Sequence, residues 1–387
     1  MKKSLIALAV ASAIPALAQA QTSVTLTGIL KTGLDAVSVK NAGTTGNMLA
    51  LTDGSSRFII AGSEDLGGGL RATFQIDTRF RPDEGKSAAA SLSAIADGAT
   101  WVGLAGGFGQ LRLGRMDQHY IYGVDEHSSR ATPLTHWNVS LLSYINQTAI
   151  ARGSRTDNLI RWDSRVMGGF SAGFGYSTAA ISASGGGTYD GCASAPSLTT
   201  TSPSCGLGAL AKGDSIAANL GYAAGPLRAG VSFWNAYNEP KTVKHASVRG
   251  WAGYNFGIVD IGLTVDQSSL TAAGATNGTQ GAKTERMAWS VPVKAAVGPG
   301  TLLFTYTVAQ DAKVAGTTAS NTGAKYMVIG YDYALSKRTS IGASYAKLDN
   351  ASGAAYAPFT GTSLANQPAL TAGQDLTSFY VGLRHAF

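Results

Sequence analysis

Beyond its first twenty residues the 387-residue chain has no apolar run of about 18 residues, so it offers no helical membrane span. Helical periodicity is sustained nowhere outside that N-terminal stretch. Charge is sparse, at 14% of residues, and the basic side chains are dispersed rather than run together. A pI near 9.3 therefore gives no support to nucleic-acid binding. Cysteine is nearly absent: Cys192 and Cys205 are the only two, without CxxC spacing, which argues against zinc and thioredoxin-type chemistry.

What is present begins with an export signature. Lys2 and Lys3 precede an apolar core, Leu5 to Leu17, and Ala18-Gln19-Ala20 is an A-x-A cleavage site. Residues 1–20 read as a secretory signal peptide and residues 21–387 as one domain. Pro15 and the shortness of the run argue against an anchor. The formal charge of +7 stays positive once the two lysines leave. In an exported chain Cys192 and Cys205 are expected to form a disulfide, worth about 3 kcal/mol for so short a loop. Two free thiols are the alternative.

Strand-like segments fill the rest. Leu70, Ala72, Phe74, Ile76 and Phe80 share one face of a strand; Arg71, Thr73, Gln75, Asp77 and Arg79 share the other. Sixteen such segments can be drawn between Val24 and Phe387. Short turns, most of them Gly-rich like Gly67-Gly68-Gly69 and Gly225-Pro226, follow the even segments from the second to the fourteenth, and longer polar loops follow the odd ones. That rhythm predicts an all-β, antiparallel up-and-down transmembrane β-barrel with both termini on the periplasmic side. A sandwich uses many short strands but lacks the regular alternation. The terminal run places Phe379, Val381, Leu383 and Phe387 on one face. It is expected to close the barrel against the first strand, with Phe387 at the periplasmic boundary.

Several motifs carry the comparison further. They are Val24-Thr25-Leu26-Thr27-Gly28, Ser56-Arg57-Phe58, Gly62 to Leu70, Val102-Gly103-Leu104, Gly106-Gly107-Phe108-Gly109, Leu113-Gly114-Arg115, Asn158 with Arg161 and Asp163-Ser164, and the terminal strand. In this combination the chain resembles the Gram-negative general porins of the β-proteobacterial type. The resemblance implies a sixteen-stranded barrel that forms a homotrimer and a third external loop folded into the pore. It implies an arginine cluster on the wall facing that loop, carried here to Arg57, Arg115 and Arg155. It also implies that Phe387 is the signal read by the barrel-assembly machinery, and that Pro82 to Gly98 reaches over a neighbouring subunit. Outer-membrane lipid and lipopolysaccharide complete the expected surroundings.

The third loop runs from Met116 to about Thr156 and holds Tyr120, Tyr122, Trp137 and Tyr144. Folded inward, it would put Asp125 and Glu126 near the middle of the channel. Alternation alone adds Arg71, Arg79, Arg112 and Arg161 as lumen residues. A ring richer in arginine than in carboxylate favours anions, and arginine holds its charge at any working pH. The expected function is passive diffusion of small hydrophilic solutes and anions, without cofactor or metal. A substrate-specific channel on the same scaffold, and a closed structural barrel, are the alternatives. An outer-membrane hydrolase is the enzymatic one. Gly169 to Gly173 matches G-x-S-x-G, but Phe174-Gly175-Tyr176 continues a strand where a nucleophile elbow at Ser171 needs a helix. His119, Asp125, Glu126, His127 and His136 match no zinc spacing.

Overall fold

A computed structural model describes residues 22–387 except 42, 44, 88–94, 120, 124–131, 137, 146–147, 150–155, 179, 182–187, 190–212, 239–240, 242, 275–279 and 359–369. The chain is a closed antiparallel barrel. Its strands are β1 (Ser23–Lys40), β2 (Gly46–Asp53 and Arg57–Gly67), β3 (Leu70–Arg81), β4 (Thr100–Gly106), β5 (Gly109–Met116), β6 (Thr156–Asp163), β7 (Phe170–Ser177) and β8 (Gly213–Ala224). They continue with β9 (Leu227–Asn238), β10 (Lys244–Asn255), β11 (Val259–Ala273), β12 (Gln280–Val297), β13 (Gly300–Ala309), β14 (Ala324–Ala334), β15 (Thr339–Asn350) and β16 (Asp375–Ala386). Each strand pairs with its sequence neighbours, and β16 pairs with β1 from Lys40↔Asp375 to Ile29↔Ala386. Closure leaves no open sheet edge, which a bilayer would penalise at every unpaired N–H and C=O.

The strand rhythm follows the sequence. Only two residues, Gly298 and Pro299, separate β12 from β13, and Gly225-Pro226 alone separate β8 from β9. The second strand departs from the sequence reading. It begins at Gly46 rather than Ser56, because Gly46–Asp53 pairs with the far half of β1, Thr32 to Val39. Gly54-Ser55-Ser56 interrupts it, with Ser55 at φ 78°. The break spoils the alternation and hides the first half of the strand.

Large apolar side chains face outward. Leu26, Leu34, Val102, Leu113, Ile160, Phe174, Leu220, Leu263 and Phe379 are all exposed on the barrel wall. In lipid that surface is matched, whereas in water each such side chain would forgo roughly 1.5–3 kcal/mol of burial. The inner wall is polar and charged. Lys31, Asp35, Arg57, Asp77, Arg161, Arg249, Asp266 and Arg286 are all buried inside.

The largest apolar core among the described residues lies within the lumen. Helix α1 (Val139–Ser143) belongs to the long segment between β5 and β6. Its Leu141 and Leu142, with Tyr144, pack against Val37, Ala288, Tyr326, Val328, Leu348 and Leu376 of the inner wall. The third loop is therefore folded into the barrel and held by its own hydrophobic contacts. The shorter connection after β3 turns back on its own strand at both described ends. Arg81 pairs with Glu84 (3.0 Å), and the Gly98 amide donates to the Asp77 carbonyl (2.9 Å).

Candidate functional site

The site is the space between the inward loop and the wall. The loop leaves β5 and crosses the wall in steps, each fixed by polar contacts. His119 is fully buried between two serines of adjacent strands, Nδ1 at 2.8 Å from Ser232 Oγ and Nε2 at 2.9 Å from Ser247 Oγ. Ser247 donates its proton to Asp266 (2.8 Å), so Ser247 must accept from Nε2–H, and Nδ1 accepts from Ser232. The ring is thereby held neutral. Burial pushes its pKa down to about 4; Asp266 opposes that shift and the Arg249 charge reinforces it.

Tyr122 follows. Its ring stacks on Trp251 at a centroid distance of 5.3 Å and 15°. Its hydroxyl accepts from Arg161 (2.8 Å), so one side chain joins β6 to β10 across the lumen face. Burial raises the phenol pKa, the nearby Arg161 charge opposing it. Thr264 then donates to the Gly123 carbonyl.

Beyond residues 124–131 the loop reaches the far wall. Leu134 and Pro133 lie against Gly330 and Gly342, where a Cβ would come within 2.6 Å of each side chain, so only glycine admits the loop here. His136 repeats the arrangement of His119. Its Nδ1 is 2.9 Å from Ser344 Oγ and its Nε2 is 2.7 Å from Ser378 Oγ, and Ser378 donates to Asp35. Two serine-clasped histidines, each backed by an aspartate, thus pin the loop to opposite walls.

Asp266 is the hub of the first wall. It accepts from Arg249 Nε (2.9 Å) and pairs with Arg286 (3.6 Å), all three side chains being fully buried. Arg249 reaches both arms of the loop, donating to the Tyr122 carbonyl (3.1 Å), the Leu142 carbonyl (3.2 Å) and Ser143 Oγ (2.9 Å). Arg286 donates to the Leu141 and Leu142 carbonyls. The last carbonyls of α1 carry partial negative charge, so two guanidiniums cap them favourably.

The β2–β6 wall bears two clusters of the same stoichiometry. Asp77 pairs with Arg57 (3.3 Å) and Arg79 (3.6 Å). Asp163 pairs with Arg161 (2.6 Å) and with Arg112, whose guanidinium also lies 5.1 Å over the Trp101 ring. Each aspartate is shared by two arginines in these described pairs.

The sequence expectations map unevenly onto this geometry. Arg57, Arg71, Arg79, Arg112 and Arg161 all occupy inward positions of their strands, in the registers Arg57↔Arg79 and Arg161↔Arg112. Arg115 requires correction. It is three residues from Arg112 and lies on the opposite face, beside Leu113 and Ile160, with its Nε 2.6 Å from Asp157 and a further bond to the Asp97 carbonyl. Matching a motif located the residue without fixing its side. Arg155, Asp125, Glu126, Cys192 and Cys205 lie outside the described residues. Asp266, Arg249, Arg286, Asp163 and the four clasping serines went unread as site residues, although strand parity would have placed Arg249 on the face of Ser247. His119 and His136 anchor the loop at separate walls. Among the described residues, no group of His, Cys, Asp and Glu could hold a metal ion. Ser171 sits in mid-strand opposite Gly221 in β8, without the strand-turn-helix geometry of a nucleophile.

A closed barrel of sixteen strands narrowed from within by one loop is the architecture of a diffusion channel, and comparison with known proteins agrees. A family model described as Gram-negative porin matches residues 7–353. The chain belongs to this family. The porin is 30% identical to outer membrane porin protein 32 of Delftia acidovorans over the full length of both chains. It is 33% identical to the major outer membrane protein P.IB of Neisseria meningitidis over 46% of this chain and 50% of that one. Among solved structures it resembles an anion-selective porin from Comamonas acidovorans with a TM-score of 0.69 and 25% identity, covering 95% of this chain and 100% of that chain. The porin is an outer-membrane channel protein, with its apolar wall in lipid and its loop in the lumen.

Proposed function

We propose that the porin passes small hydrophilic solutes passively and prefers anions, and that its constriction lies between the inward loop and the β2–β6 wall. Arg57, Arg79, Arg112 and Arg161 supply the basic side. Asp125 and Glu126 of the loop supply the acidic side, with Arg155 at the loop's return. The observation that carries the reading is the stoichiometry of the charge clusters. In the described ion pairs Asp77, Asp163 and Asp266 are each shared by two arginines, which supports an excess of arginine over carboxylate along the inner wall. Fixed charges lining a narrow pore with low-dielectric walls raise the local concentration of the opposite ion. The anion selectivity of the Comamonas acidovorans porin supports the same direction.

In the same reading, residues 1–20 are the export signal and residues 21–387 one barrel domain. Cys192 and Cys205 close a disulfide in the loop after β7. The assembled form is a homotrimer, which the family resemblance supports. Phe387 is its assembly signal to the barrel-assembly machinery, and lipopolysaccharide surrounds the outer rim. The protein acts as a channel and catalyses no reaction.

Reversal potentials across a planar bilayer in a KCl gradient test the central point. A potential of the sign set by chloride is expected; one set by potassium would overturn it. Cross-linking of the purified protein in detergent tests the trimer.

A further inference from the structure

Near the short-turn end of the lumen, the β2–β6 wall holds an open concavity of about 380 Å³, lined by Arg71, Thr73, Gln110, Asp163, Ser164 and Arg165. Two of these side chains stand out by their charge state. Arg71 and Arg165 are exposed into the concavity, and neither guanidinium has an ion pair or a hydrogen bond among the described residues. Neither neighbouring carboxylate forms an ion pair with them among the described residues. Asp163 is held by Arg112 and Arg161. Asp65, opposite Arg71 in register, accepts from the Gly67 amide at 2.8 Å. Gln110 donates one amide proton to Thr73 Oγ1 (3.2 Å), which leaves its second N–H free.

We propose that this concavity binds small oxyanions, carboxylate or phosphate, between Arg71 and Arg165. The two guanidiniums present planar forks of donors that fit such anions, with the Gln110 amide beside them. The inference deepens the anion-preferring reading and rests on it, because it places a stopping point below the constriction. An anion crossing between the loop and the arginine wall would meet a second, weaker site before leaving at the periplasmic end. Weak binding at successive sites lets ions enter without being trapped.

The test uses the full-length protein in planar bilayers with symmetric KCl and inorganic phosphate added to one side. Phosphate should reduce the chloride current more effectively from the short-turn side. Arg71→Gln and Arg165→Gln should each raise the half-blocking phosphate concentration about threefold to tenfold, the effect of losing one charge-assisted contact. Gln110→Glu keeps both arginines but sets a carboxylate beside them, and should also weaken the block. It decides the matter if an arginine variant yields no channels. An unchanged half-block in the double variant, or equal block from both sides, would overturn the site. The KCl reversal potential should keep its anion sign in all these variants, since the three aspartate-centred clusters are untouched. Cation preference of the wild-type channel in KCl would instead overturn the underlying reading, independently of phosphate.

Discussion

Gly28 and Phe387 exchange both of their backbone hydrogen bonds, at 2.9 and 3.0 Å, and the Phe387 ring occupies the space that a Cβ at position 28 would fill. The last residue of the sequence therefore completes the β1–β16 seam one step beyond the Ile29↔Ala386 pair. The terminal aromatic is part of the closure itself as well as a candidate assembly signal.

That seam makes a paired prediction. Deleting Phe387 removes two ladder bonds, worth about 0.5–1.5 kcal/mol each, together with its ring contact. Gly28→Val keeps Phe387 but drives a side chain into its ring. Both variants should lower the yield of folded barrel in the outer membrane while leaving export across the inner membrane intact. Wild-type levels of heat-resistant folded barrel for Gly28→Val would mean that the ring contact does not matter.

The Asp266 hub predicts how the loop comes loose. Replacing Asp266 with Asn leaves Arg249 and Arg286 buried without their countercharge, a loss of about 3–5 kcal/mol in loop docking. Single-channel records of Asp266→Asn should show larger and noisier conductance than wild type. Hydrogen exchange should show loss of protection at Leu141 and Leu142. A quiet channel of wild-type conductance would remove Asp266 from this role.

The loop should also respond to acid. His119 lies in the loop, and its pKa when docked is about 4, against 6.5 for a free histidine, with burial the main cause. Between these values the undocked loop binds the extra proton and the docked loop does not. Docking is therefore fully favoured above about pH 6.5, weakens as pH falls through the window, and levels off below about 4. The total loss is on the order of 3 kcal/mol. Conductance noise measured from pH 7 to 4 should rise across that range in wild type, and His119→Gln should flatten the response.

Charge selectivity should follow the clusters rather than the total arginine count. Arg79→Gln leaves Asp77 paired with Arg57 and removes one positive charge from that cluster, so the KCl reversal potential should move toward zero. Arg115→Gln, on the outer face with Asp157, should leave it unchanged. The Arg79 effect should shrink as salt is raised from about 0.1 M to 1 M, where the screening length falls from about 10 Å to 3 Å. Equal shifts from both variants would contradict the assignment of faces.

The parts legible in the sequence were those governed by local repetition. Side chains alternate along a strand, so Arg71, Arg79, Arg112 and Arg161 could be placed inward without a structure. Parity is lost where the backbone is irregular, as at Ser55, whereas at Arg115 parity points outward and only the motif points inward. The loop anchors were out of reach for a different reason. Arg249 and Ser143 are 106 residues apart, and His136 and Ser378 are 242 apart. No local pattern marks such pairs.

By itself, the sequence determined an exported, closed, sixteen-stranded barrel with short turns at one end. Strand period, turn composition and the apolar outer face are each local properties that a bilayer makes obligatory. Only the tertiary structure decided where the loop lies and which charges survive pairing. Both depend on groups far apart in the chain meeting across the lumen, where a buried charge is stable only beside a partner.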